Sequence, residues 1–167
     1  MASKIRRLFN LAIGAMLLVG ATACSPLKML NALTPDGTFD KTEGIAYGSD
    51  PRQKLDVYVP RHPMQNAPVV VFFYGGSWNS GSRADYSFVG EALASRGIVA
   101  VLADYRLYPQ VRYPAFLEDG AKAVAWTHEH IREYSGNPQR LYLMGHSSGA
   151  YNVAMLALDP KLLETVG

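Results

Sequence analysis

The chain has a single cysteine in 167 residues, Cys24. No disulfide can form within it, so an oxidising compartment adds nothing to its stability. An excess of one charge is missing too. Sixteen Lys and Arg stand against fourteen Asp and Glu, a net +2, and the basic residues are scattered. That leaves no cationic footprint for a nucleic acid. No apolar stretch reaches the roughly twenty residues that span a bilayer, and there is no repeat or low-complexity tract. Histidine is scarce: the four are His62, His128, His130 and His146. His128 and His130 stand two apart, on different sides of a predicted helix, not four apart as a helical zinc motif needs. "GGSWNSG" (75–81) lacks the Gly-Lys-Ser/Thr ending of a phosphate loop. Nothing in the sequence calls for a metal or an organic cofactor.

The N-terminus is distinct. Lys4, Arg6 and Arg7 form a basic segment, "LAIGAMLLVGA" (11–21) an apolar one, and small residues follow at Ala21 and Ala23. Residues 1–23 therefore have the layout of an export signal. Cys24 comes next, and two readings follow. In one, the chain is cut after Ala23 and released as a soluble periplasmic or secreted protein with a free thiol. In the other, "ATAC" resembles the bacterial lipoprotein pattern, and Cys24 becomes the lipidated first residue of the mature chain. A lone cysteine at the cut site favours the second. Several acyl chains on one residue anchor stably where one is marginal, so the expectation is an exported, membrane-anchored lipoprotein of the cell envelope. Residues 24–41, with Pro, Gly and Thr and little periodicity, suit a tether.

From residue 42 the pattern becomes regular. "GIAYG" and "KLDVYVP" predict an antiparallel pair at a sheet edge, with Leu55, Val57 and Val59 facing inward. "PVVVFFYGG", "IVAVLADY" and "RLYLMG" are continuous apolar runs, as in strands buried on both faces. Between and after them, 85–97, 114–134 and 148–159 have helical spacing, with Asp85 as a cap and Gly97 as a stop. Phe116, Gly120, Ala123, Val124 and Thr127 share one face of the long helix. Strands alternating with helices predict an α/β domain, a mostly parallel sheet with helices on both faces. Ligands bind such sheets at the carboxyl ends of the strands. Here those ends carry Gly75-Gly76-Ser77-Trp78, Asp104-Tyr105-Arg106 and Gly145 to Gly149.

Ser147 sits in a G-x-S-x-G arrangement between a predicted strand and helix. Glycines two before and two after remove the side chains that would collide in so tight a turn, leaving the hydroxyl above the sheet. Together with "YGGSW" (74–78), "DYRLYP" (104–109), "YPAFLEDGAKAVAW" (113–126) and "GHSSGA" (145–150), this resembles the α/β-hydrolase superfamily, in its carboxylesterase and kynurenine-formamidase-like branch. The resemblance runs from about residue 40 to the end. It implies that Ser147 is the nucleophile, that the N–H groups of Gly76, Ser77 and Ser148 form the oxyanion hole, and that the substrate is a small ester or amide. Members of that branch usually carry His where this chain has Tyr74. Trp78 is read as pocket rim or as structural, Asp104 and Arg106 as a pair holding loops, and Asp119 as a helix-start charge.

An activated serine needs a base oriented by a carboxylate, and in this superfamily the order is Ser, acid, His. No histidine follows Ser147. Asp159 and Glu164 come too soon after the elbow, and His146 points away from its neighbour. The elbow strand would also stand as an exposed apolar edge. The expectation is thus the N-terminal part of a longer hydrolase, with residues 42–167 a partial domain, inactive alone and prone to associate. Two alternatives stay open: a catalytically silent lipoprotein serving as a binding or scaffold module, and a peptidase of the same fold.

Overall fold

The computed structural model describes residues 26–62 and 65–166. The predicted export signal and Cys24 lie outside them. The chain divides into two units, Met1–Leu33 and Thr34–Gly167. In the first, the described part holds one short helix, α1 (Pro26–Ala32). The stretch expected as a tether thus contains a helix and, from Phe39, the start of the first strand. Among the described residues no helix is long and apolar enough to cross a membrane.

The second unit is built on five strands: β1 (Phe39–Ala46), β2 (Lys54–Pro60), β3 (Ala67–Phe73), β4 (Val99–Ala103) and β5 (Gly136–Gly145). Their order is β1-β2-β4-β3-β5. β2 pairs antiparallel with both β1 and β4, while β3 pairs parallel with β4 and β5. Only β2 therefore runs against the other four, and the sheet is mostly parallel. The helices are α2 (Ser87–Ala94), α3 (Ala115–His130), α4 (Ser148–Leu158) and α5 (Pro160–Glu164), with 3-10 turns at Arg83–Tyr86 and Ile131–Tyr134.

Two glycines show which helix covers which face. Tyr58, Ala100 and Val70 lie in register across the sheet. α2 presses on that face so closely that a Cβ on Gly90 would stand 2.6 Å from the Tyr58 ring. Phe73 points to the opposite face, where a Cβ on Gly120 of α3 would meet its ring at 3.6 Å and Leu156 of α4 at 3.1 Å. Small residues let helix and sheet approach, and the aromatic rings fill the space they leave. Every residue of β4 is buried, as its unbroken apolar run predicts.

β1 and β2 form the expected antiparallel pair at one edge of the sheet, with β1 outermost. Two expectations need correction. β2 does not face inward on one side only: Asp56 and Tyr58 are buried along with Leu55 and Val57. Asp56 can be buried because Arg83 Nε donates to it at 2.6 Å, Gly44 N at 2.8 Å, and Lys41 Nζ lies at 3.2 Å. A buried carboxylate needs such partners. Asp85 is not the cap: Ser82 caps the 3-10 turn by accepting from Ala84 N, and α2 starts after Tyr86 with no side-chain cap bond. Within α2, Gly90 and Ala94 are fully buried while Phe88 and Val89 are half-buried. β5, in contrast, is the apolar edge foreseen for it: Tyr142 and Met144 are 57% and 44% exposed.

Candidate active site

Because β3, β4 and β5 are parallel, their carboxyl ends bring Tyr74–Trp78, Asp104–Arg106 and Gly145–Gly149 to one rim of the sheet. At the end of β5 the chain turns sharply through Ser147, with φ 52° and ψ −119°, into α4. Left-handed backbone is costly for a residue with a Cβ and persists only where the surroundings enforce it. Here they do. His146 N donates to Phe73 O at 3.1 Å, Gly149 N to His146 O at 2.9 Å, and Ala150 N to Ser147 O at 2.9 Å. A Cβ on Gly145 would lie 2.4 Å from Gly149 O, and one on Gly149 would lie 2.1 Å from Phe73 O. Neither glycine can be replaced without moving backbone. Ser147 itself is exposed at the rim and Ser148 is buried behind it.

Opposite the elbow runs the loop after β3. Gly75 is buried against the serine, since a Cβ there would be 2.9 Å from Ser147 Cβ and 2.8 Å from His146 Nδ1. Gly76, Ser77 and Trp78 follow with φ of 141°, 51° and 57°. Asn79 N and Ser80 N close this turn on Gly76 O at 3.0 and 3.1 Å. Among the described residues, the N–H groups of Gly76, Ser77 and Ser148 donate to no protein acceptor. Ser148 also stands at the N-terminus of α4, where the helix dipole is positive. The loop and the elbow together can present fixed donors beside an exposed hydroxyl, which suits stabilisation of a tetrahedral oxyanion.

The surroundings brace this rim. Trp78 Nε1 donates to Asn152 Oδ1 on α4 at 2.9 Å, and its ring stacks on Phe116 and meets Tyr151 edge-on, both at 5.4 Å. Trp78 is thus tied to both α3 and α4 as well as standing at the rim. Asp104 and Arg106 are not a pair. Asp104 accepts from the Arg83 side chain and main chain. Arg106 instead grips Asp119, with Nη2 at 2.7 Å, and Gln53 Nε2 donates to the same carboxylate at 2.7 Å. Asp119 is fully buried, so it is the anchor of a loop and not a solvated helix-start charge.

No described hydrogen bond joins a histidine to Ser147. His146 Nδ1 lies 3.0 Å from Tyr86 Oη, which turns its ring away, and His130 pairs with Glu133 at 3.1 Å. Among the described residues no cluster of three or more His, Cys, Asp or Glu could hold a metal ion. An apolar groove lined by Val124, Leu141, Leu163 and Val166 includes none of the rim residues. Sequence reasoning passed over Arg52 and Asn152, and named Tyr105 at its strand end without giving it a role. Asn152 had a usable signal, being four residues after Ser148 on the same helical face. Arg52 had none, because its partners are far away in sequence.

A family model described as BD-FAE matches residues 55–165. A probable isoprenylcysteine alpha-carbonyl methylesterase ICME from Oryza sativa subsp. japonica is 37% identical over 123 residues, covering 74% of this chain and 30% of that protein. Esterase LipC from Mycobacterium tuberculosis is 35% identical, covering 70% of this chain and 30% of that protein. Esterase B from Lactobacillus rhamnosis superposes with a TM-score of 0.75 at 23% identity, over 93% of this chain and 52% of that one. A hyperthermophilic esterase from Pyrobaculum calidifontis gives 0.67 at 26% identity, over 81% and 42%. The chain therefore spans about 30% of the length of these curated relatives.

Proposed function

From a chain that belongs to the BD-FAE family, within the α/β-hydrolase carboxylesterases, we propose hydrolysis of a carboxylic ester or related acyl bond through an acyl-serine intermediate. Ser147 Oγ attacks the acyl carbon while its proton passes to a base, and the carbonyl electron pair moves onto oxygen. The N–H groups of Gly76, Ser77 and Ser148 hold that oxyanion. Its collapse expels the alcohol, which takes up the proton, and water repeats the sequence to release the acid. One such donor is worth about 10²–10³ in rate. The observation that carries this reading is the enforced left-handed Ser147 between two irreplaceable glycines.

In this superfamily the acid and the base both follow the serine, and no described hydrogen bond joins any of the four histidines to Ser147, so the test supplies the base in solution. The test is release of p-nitrophenol from p-nitrophenyl acetate by the purified chain, with imidazole supplied as an external base. The wild type exceeds the protein-free imidazole blank in proportion to imidazole, and Ser147→Ala does not. Equal rates for the two proteins would instead support a silent binding module, and cleavage of a peptide but no ester would support a peptidase.

Cys24 is proposed as the point of lipid attachment, supported by its place directly after the apolar segment and small residues. Labelled palmitate fed to a bacterial host enters the wild type but not Cys24→Ser, which moves to the soluble fraction. Labelling of both would remove Cys24 from that role.

A further inference from the structure

The loop that carries Gly76 and Ser77 starts at Tyr74 and returns at Gly81, and one guanidinium touches both ends. Arg52 Nη2 donates to Tyr74 Oη at 2.5 Å and to Gly81 O at 3.0 Å. Its Nε donates to Tyr105 O, just past β4, at 3.0 Å. Tyr105 completes the frame. Its ring stacks on Tyr74 at 4.6 Å and 14°, and its hydroxyl donates to Tyr74 O, the carbonyl directly before Gly75, at 2.8 Å. The two loop ends are also in contact, since a Cβ on Gly81 would stand 2.6 Å from Gly75 O and 2.8 Å from the Tyr74 ring. Tyr74 and Tyr105 are fully buried.

We propose that Arg52 is the positioning residue of the oxyanion loop, fixing Gly75–Ser77 against Ser147 through Tyr74, Tyr105 and Gly81. The inference rests on the serine-hydrolase reading and extends it to a residue some twenty positions away from the loop. The geometry explains why the residue is arginine. Three acceptors in different directions need a planar fork with several N–H donors, which a lysine point charge cannot match. It also gives Tyr74 its place: a phenol oxygen reaches the guanidinium while the ring covers the loop base. Ser77 carries a positive φ that its own backbone preference disfavours. The turn bonds on Gly76 O and the Trp78–Asn152 bond brace the middle of the loop, and Arg52 ties its two ends together.

The experiment compares wild type with Arg52→Met, Arg52→Lys and Tyr74→Phe, the last removing a single oxygen. Ser147 phosphonylation by a fluorophosphonate is followed over probe concentration at fixed imidazole, with main-chain amide exchange measured in parallel. Arg52→Met lowers the maximal labelling rate about tenfold or more, the scale for sub-ångström misplacement, while the half-saturating concentration stays within twofold. Arg52→Lys recovers part of the rate, and Tyr74→Phe falls between wild type and Arg52→Met. The amides of Asn79 and Ser80, which close the loop on Gly76 O, exchange faster in Arg52→Met, and those of β3 and β4 do not. A maximal rate within twofold of wild type, equal loss in the Met and Lys variants, or unchanged exchange at 79 and 80 overturns the proposal. If wild type takes no label, the hydrolase reading fails on its own account, and amide exchange still decides whether Arg52 holds the loop.

Discussion

Gly75→Ala separates the chemistry of the rim from the stability of the fold. The added methyl would stand 2.8 Å from His146 Nδ1, 2.9 Å from Ser147 Cβ and 3.0 Å from His146 O. Ordinary contact needs at least 3.4 Å, so the loop must retreat from the elbow by roughly half an ångström, enough to forfeit about a quarter of the van der Waals contact there. The His146 ring can swing aside, but the main-chain oxygen cannot. Overpacking of this size costs about 1–3 kcal/mol. The same retreat carries the Gly76 and Ser77 amides away from the oxyanion position, where about 1 Å is worth on the order of 10²-fold in rate. Phosphonylation of Ser147 therefore slows by about 10- to 100-fold, while the urea midpoint falls only as far as the packing cost requires. Gly37→Ala is the control. Nothing lies within 4 Å of a Cβ there, so its stability stays within about 0.5 kcal/mol and its labelling is unchanged. Labelling of Gly75→Ala within twofold of wild type would refute the close approach of loop and serine.

Other consequences are as direct. Asp119→Asn leaves Arg106 without its anion in a site where the carboxylate is fully buried. Breaking such a pair costs about 3 kcal/mol, the low end of the usual range because the guanidinium is partly exposed, and urea unfolding measures it. Burial pushes the phenols of Tyr47, Tyr74 and Tyr105 upward, that of Tyr105 to about 12. The unfolded chain then loses these protons near pH ~10 before the folded one does. Their contribution to stability is complete below that pH and is lost as pH rises toward 12, and Tyr105→Phe flattens the decline. The bare β5 edge, with Tyr142 and Met144 exposed, makes the 167-residue chain associate in size-exclusion chromatography. Met144→Lys shifts it toward the monomer, and an unaltered profile would exonerate that edge.

The sheet was legible because its strands are written locally. An unbroken apolar run such as "VVVFF" stops at Gly75, and the G-x-S-x-G turn lies where a strand gives way to a helix. The rim was legible for the same reason, since parallel strands deliver their ends to one side. The polar frame was not. Arg106 reaches 13 residues forward to Asp119, Arg83 reaches Asp56 and Asp104, and Arg52 reaches Tyr105 across 53 residues. No periodicity encodes such partners, which are chosen by the fold after the strands have paired. Asp104 and Arg106 stand two apart just past β4, yet each takes its partner from elsewhere in the chain, Arg83 for the first and Asp119 for the second. The burial of Asp56 was hidden likewise, because its partners Arg83, Gly44 and Lys41 come from other elements.

Peptide mass spectrometry of the chain treated with a fluorophosphonate and imidazole bears most directly on the nucleophile. The account predicts a single phosphonyl adduct on Ser147, none on the adjoining Ser148 or on Ser77 across the gap, and none anywhere in Ser147→Ala. An adduct on either of those serines, or no adduct on a folded wild type, would contradict it.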